Sequence, residues 1–332
     1  MARFLRTVVH QDVSLAAGAT PLEENLGVNP LSFILLTIRA QTLAANINPT
    51  LANLLATLGT VEVTFKGTSI ANLSLADLYR MTAALWGRFP IISRLADPIN
   101  SSTTITVPIP FSRVPYWMLE AFPASRSGDL KLKLTPAATY TNIVDPITIQ
   151  AEQVELLDAV PERFIKYTTF AKTPTATGDH DVDLPLGNNI LGALLFGTTV
   201  PTGTVFTASI DQVKLLVDNV ENYYSQTNWE SLHNDFIIRA TPEWDLSTEL
   251  HRLAAAGAYA ANDISQGPAD AIRVHDNYAY LDFDPLKDGS YILETEGRGK
   301  VHLRITAGVA DAIRVLPVEI IELPGAAPVA AA

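Results

Sequence analysis

The sequence predicts an all-β chain: two tandem eight-stranded antiparallel sandwiches of jelly-roll type, with short helices confined to loops. Three observations predict it. Gly128 to Asp158 and Gly299 to Leu323 read as two copies of one passage. In the first, Leu130, Leu132 and Leu134 alternate with Asp129, Lys131 and Lys133; in the second, Val301, Leu303 and Ile305 alternate with Lys300, His302 and Arg304. Period-two patterns of this kind mark strands with one buried face. The order of the other elements recurs as well, VKLLV at Val213 standing 152 residues after VEVTF at Val61, and a repeat of about half the chain makes the halves relatives. Finally, the strand signals are short and separated by turns, as a two-sheet sandwich requires.

Each copy continues into a second strand whose phase slips once, from Ile147 and Ile149 to Val154 and Leu156, and from Ile313 and Val315 to Val318 and Ile320. The slip predicts a bulge or bend at one place in both copies, with Pro317 tolerable only at such a spot or on an edge.

In chain order, residues 1 to about 30 read as an arm and a first strand. Leu31 to Ala40 is an apolar run suited to a strand covered on both sides. Asn48 and Pro49 cap and open a short helix, with Gly59 as its stop. Val61 to Lys66 alternates as a strand. Ser74 and Asp77 are spaced as a capping box for a second helix ending at Gly87. Thr103 to Ile109 is a strand, and Pro110 to Gly128 a loop carrying Tyr116 and Trp117. In the second half Asn189 to Gly197 matches Leu31 to Ala40, and Thr227 with Glu230 opens the matching helix. The expected organisation is therefore a first sandwich at 1–160, a linker at 161–174, a second sandwich at 175–323 with a helical insertion at Thr241 to Asn262, and a small-residue tail at 324–332.

Only 17% of residues are charged and 48% are hydrophobic, against about 25% charged in an ordinary soluble protein. A surface so short of charge is expected to be covered in an assembly. The formal net charge of −12 is spread along the chain, which argues against nucleic-acid binding as the main task, since phosphate contact needs clustered Lys and Arg. With no cysteine, thiolate chemistry and disulfides are excluded. The N-terminal apolar run breaks at His10, Gln11 and Asp12, a poor secretory signal, and no run approaches the ~20 residues of a membrane span.

Little points to catalysis. No two of His10, His180, His233, His251, His275 and His302 stand one, three or four apart, so the paired histidines of a cupin metal site are missing from both halves. His302, on the polar face of its strand, reads as solvated. Asp179, Asp181 and Asp183 alternate in GDHDVDLP and are the candidates for a bound ion, although an EF-hand's glycine and glutamate are absent; a solvated acidic turn is the default. Asp282 and Asp284 share a strand face, as an acid and base pair would. Trp86, Trp117, Trp229 and Trp244 could stack on sugars, Trp86 and Trp229 being better explained as core. Phosphate loops, nucleophile elbows and HExxH are absent. The chain is expected to be no enzyme and to carry no cofactor.

Two sandwiches in tandem, each with a helix after its third or fourth strand and each ending in a matched strand pair, resemble the double jelly-roll major capsid proteins of icosahedral viruses with an internal membrane, bacteriophages among them. The resemblance spans about 15–323 and is architectural, without a diagnostic motif. It implies a homotrimer of pseudo-hexagonal outline that tiles a virion capsid beside neighbouring capsomers, penton or minor capsid proteins, assembled in the host cytoplasm. It further implies that the arm with Arg3 and Arg6 faces inward or clasps a neighbour, that the inner edge contacts the membrane, and that Thr241 to Asn262 forms a tower or a trimer contact. The alternative is a two-sandwich glycan-binding or glycan-processing protein.

Overall fold

The structure, a computed structural model, describes residues 3–41, 43, 51–90, 92–93, 102–200, 207–240 and 277–324. Among these the chain divides into two compact units that part between Phe164 and Ile165, with Arg239 and Ala240 at the end of the last helix grouped with the first. The first unit contains β1 (Phe4–Leu15), β2 (Leu22–Asn25), β3 (Leu31–Gln41), α1 (Leu51–Leu55), β4 (Leu58–Phe65), β5 (Thr68–Leu73), α2 (Leu75–Trp86), β6 (Ile92–Ser93), β7 (Ser102–Pro110), β8 (Leu130–Pro136) and β9 (Ile147–Leu156). One of its sheets runs β1-β9-β3-β7-β6, the other β5-β4-β8-β2.

Strand β10 (Arg163–Tyr167) leads into the second unit, followed by β11 (Phe170–Lys172), β12 (Gly178–Asp183), β13 (Asn189–Gly197), β14 (Gln212–Val217), β15 (Val220–Glu221), β16 (Thr227–Asn228), α3 (Trp229–Ala240), β17 (Tyr278–Asp282), β18 (Val301–Ala307) and β19 (Ile313–Glu322). Here the sheets run β17-β13-β19, with β11 also on β19, and β12-β18-β14-β15, with β16 on β14. The strands matched in sequence hold matched places. β8 lies between β2 and β4 as β18 lies between β12 and β14; β9 flanks β3 as β19 flanks β13.

The alternation works as read. Leu130, Leu132 and Leu134 are buried while Lys131 and Lys133 face out to Glu23 on β2 and Glu62 on β4. On β18, Val301, Leu303 and Ile305 enter the second core with Leu215, Leu281 and Val315. α2 forms because its apolar residues share one face and its ends are satisfied. The Ser74 hydroxyl accepts from the Asp77 amide at 3.0 Å, and Gly87 takes φ 70 at the other end, a left-handed position that glycine fills without strain.

Four expectations are corrected. Gly59 does not stop a helix: α1 ends at Leu55, and Gly59 is the extra residue between Leu58↔Pro136 and Thr60↔Thr135 in the β4–β8 ladder. Residues 161–174 are not a plain linker. They form β10 and β11, because Phe164, Ile165 and Tyr167 are buried and Phe170 to Lys172 pair with β19. Thr227 and Asn228 pair with β14, and α3 starts at Trp229. Lastly, the phase slip in β9 and β19 is not a bulge in those strands. The extra residue sits in the neighbour, Ser32 in β3 and Leu191 in β13, at matching rungs (Leu31↔Glu155, Phe33↔Val154; Ile190↔Glu319, Gly192↔Val318). The helix opening at Asn48, the insertion at Thr241 to Asn262 and the tail beyond Pro324 lie outside the described residues.

Candidate functional site

Asp179, Asp181 and Asp183 alternate along β12, and each meets a group on β18 or just before it. Thr306 Oγ1 donates to Asp179 at 2.7 Å, Arg304 clasps Asp181 through Nε and Nη2 at 2.8 and 3.0 Å, and Lys300 lies 3.3 Å from Asp183. The Arg304 hydrogen bonds hold the Asp181 carboxyl below its usual range. Among the described residues no three His, Cys, Asp or Glu side chains are grouped to hold a metal. The trio forms a cross-strand polar ladder, the counterpart of Lys131–Glu23 and Lys133–Glu62 in the first unit.

His302 is not solvated. It is 1% exposed, neither ring nitrogen has a hydrogen-bond partner among the described residues, and Asp181 Oδ2 lies 3.5 Å away. Its strand is central, with Asp183 opposite on one side and Leu216 on the other, so neighbouring side chains cover it. Burial pushes its pKa down, against the pull of Asp181. His10 is also buried in the first unit and pushed down by burial, with Glu24 opposing. His180 and His233 bond the carbonyls of Ala176 and Tyr278. His251, His275 and Trp244 lie outside the described residues.

The Asp282 carboxylate accepts from the Asp284 amide and that of Asp284 from the Gly289 amide, which makes both builders of one turn. Trp86 Nε1 donates to Ser112 O, and Trp229 is buried. Trp117 is half-buried, with the guanidinium groups of Arg113 and Arg163 over its ring at 5.4 and 5.2 Å from the centre, so cations already occupy its π-face.

Sequence reading missed a heavily bonded buried group in the first unit. Glu120, fully buried, accepts from Arg113 Nε and Nη2 at 2.9 and 2.8 Å and from Arg163 Nε at 3.2 Å. It anchors the β7–β8 loop, which the Leu31–Phe122 pair of mutual backbone hydrogen bonds ties to β3. Near its start Tyr116 takes φ 64, its amide donating to Ser32 Oγ at 3.0 Å. Edge-to-face rings then run Phe4, Tyr116, Phe33, Trp86, each 5.2 or 5.3 Å from the next. Arg113 and Glu120 lie seven residues apart and Arg163 forty-three beyond Glu120; charged residues at such spacings look like surface residues, so no local pattern marks them. The loop assembled here is held at both ends by bonds and leaves Val114, Tyr116 and Leu119 exposed.

No protein-family model matches the chain, and no curated protein matches it by sequence. Solved structures do. The major capsid protein P2 of bacteriophage PM2 is 11% identical with a TM-score of 0.61, covering 97% of this chain and 99% of its own. The STIV major capsid protein is 11% identical with a TM-score of 0.64, covering 96% and 97%. The PBCV-1 protein Vp54 is 10% identical with a TM-score of 0.61, covering 100% and 97%. The chain has the fold of these capsid proteins. The likeness extends over both units and leaves almost none of either chain unmatched.

Proposed function

We propose that this chain is a major capsid protein of an icosahedral virus, a building block without catalytic activity. The observation that carries the reading is the end-to-end match to capsid proteins of nearly equal length. We read each unit as one eight-stranded jelly roll, β1, β9, β3, β7 facing β2, β8, β4, β5, and β11, β19, β13, β17 facing β12, β18, β14, β15. The sheet orders of the two units support this pairing strand by strand.

Two fused rolls give a trimer six similar faces, so pseudo-hexagonal capsomers can tile a shell with few contact types. On this reading the partners are a homotrimer, its neighbouring capsomers, penton and minor capsid proteins, and an internal membrane at the inner edge. The rolls divide at about residue 160, the virion capsid is the destination, and host cytoplasm the place of assembly. The net charge of −12 suits a shell that leaves nucleic acid to other components. Sedimentation of the purified chain tests the reading: a stable species of three times the 35.9 kDa chain is expected, and a monomer at all concentrations refutes it.

A further inference from the structure

Six apolar side chains of the first unit stand at least a third exposed and close together: Phe4, Val114, Tyr116, Leu119, Leu157 and Val160, the last at 80%. Their adjacency is fixed by bonds and rings. Phe4 meets the Tyr116 ring; the Leu157 amide donates to Arg3 O; the Leu119 carbonyl accepts from the Glu162 amide, two residues past Val160; and Trp117 N bonds Val114 O. Side chains of these sizes leave roughly 500 Å² of apolar surface in one place, near the top of the ~300–600 Å² reached by the largest patch of a typical monomer. A stable interface takes about 800 Å² from each partner, about 60% of it apolar. The patch therefore supplies the apolar part of one such contact.

Charge decides the occupant. A copy of a chain carrying −12 is repelled wherever unpaired acids meet. Most ions flanking this patch are already matched, Arg3 with Asp158, Arg6 with Glu152, and Glu120 with Arg113 and Arg163, while the carboxylate of half-buried Glu162 has no ion pair among the described residues. Its loop is also preorganised by the Glu120 cluster and the Leu31–Phe122 bridge, so little ordering cost opposes docking.

We propose that this patch is a contact surface for a second copy of the chain. The proposal rests on the capsid reading and names one face that self-assembly covers. The chain has no cysteine, so Val160→Cys gives a single thiol whose maleimide labelling reports cover at the patch. Labelling should be fast in the dissociated chain and about tenfold or more slower in the assembled one. Val160→Asp, at a side chain exposed enough to leave the fold intact, should weaken association about tenfold at an unchanged circular dichroism spectrum. If the wild-type chain never assembles, the capsid reading falls and this proposal with it. If it assembles with the thiol still open, or the aspartate variant assembles as well as wild type, only the patch is refuted. A thiol already slow in the dissociated chain, or protected only by added phosphatidylcholine vesicles, assigns the surface to the chain's own fold or to lipid and also overturns the proposal.

Discussion

The two units solve one structural problem with the same backbone and different side chains. In the first, the bulge residue Ser32 accepts from the Phe111 amide, Leu31 exchanges hydrogen bonds with Phe122, and Asn29 Nδ2 donates to buried Glu155 at 2.9 Å. In the second, Leu191 accepts from the Phe283 amide, Ile190 exchanges with Leu293, and Asn188 Nδ2 donates to buried Glu319 at 2.8 Å. The junction is one device used twice. Its surroundings have diverged. Glu155 has the Gln153 amide at 2.9 Å, and Gly27 packs so close that a Cβ there would meet the carboxylate. Glu319 instead has Lys166 at 3.6 Å, and Gly192 leaves room for Tyr280. Backbone geometry is the shared part; each loop's anchor is private, Glu120 with two arginines in one unit and Asp284 in the other.

The largest effect should separate those anchors. Glu120→Ala strands buried Arg113 and partly buried Arg163 and should cost about 3–5 kcal/mol, whereas Asp284→Ala removes hydrogen bonds to turn amides and should cost about 1–3 kcal/mol. Urea unfolding measures both, and equal losses would break the contrast. Next come the glycines. At Gly192 a Cβ would lie 2.5 Å from the Leu281 carbonyl, while at Gly27 it meets side-chain ends; overpacking costs typically about 1–3 kcal/mol, so Gly192→Ala should lower the melting temperature more than Gly27→Ala.

The asparagines sharpen the comparison further. Asn29→Ala and Asn188→Ala each leave a buried carboxylate short of a donor, about 1–3 kcal/mol apiece. In the second unit Lys166 backs up the glutamate electrostatically, and salt screens it, so the cost of Asn188→Ala should rise with ionic strength while that of Asn29→Ala stays flat.

A smaller effect belongs to pH. Burial lowers the pKa of His10 and His302 from the ordinary 6.5, so the unfolded chain takes up protons before the folded one does. Stability is therefore full above about pH 6.5 and falls below it, by at most about 1.4 kcal/mol per pH unit for each histidine. Replacing either histidine with Leu should flatten a melting curve followed from pH 7.5 to 5. The smallest change expected is Ser74→Ala, which removes the α2 cap for about 1 kcal/mol, readable by the same melts.

Much of the fold was legible because it is periodic. Leu130, Leu132 and Leu134 alternate, and a strand with one wet face has no other reading; the Ser74 and Gly87 punctuation of α2 is equally local. The phase slip was legible as an event but not as a place, since the extra residue lies in the neighbouring strands, at Ser32 and Leu191, and not in β9 or β19. His302 was misread for a related reason: a polar-phase residue on a central strand is covered by its neighbours across the sheet, which the one-dimensional pattern omits. The candidate surface was the least visible part. Tyr116 and Trp117 stood out in the loop, yet nothing in the sequence couples Arg113, Glu120 and Arg163, or brings Phe4 to Tyr116.

The single added residue at Ser32 and at Leu191 acts as a clutch between the two stretches of each strand. Deleting it would not merely shorten the strand; side chains on one flank would turn to the other side of the sheet. Each half would then face a choice between an isolated glutamate sealed from water and a strand worn inside out, so neither half can shed that residue alone and keep its shape.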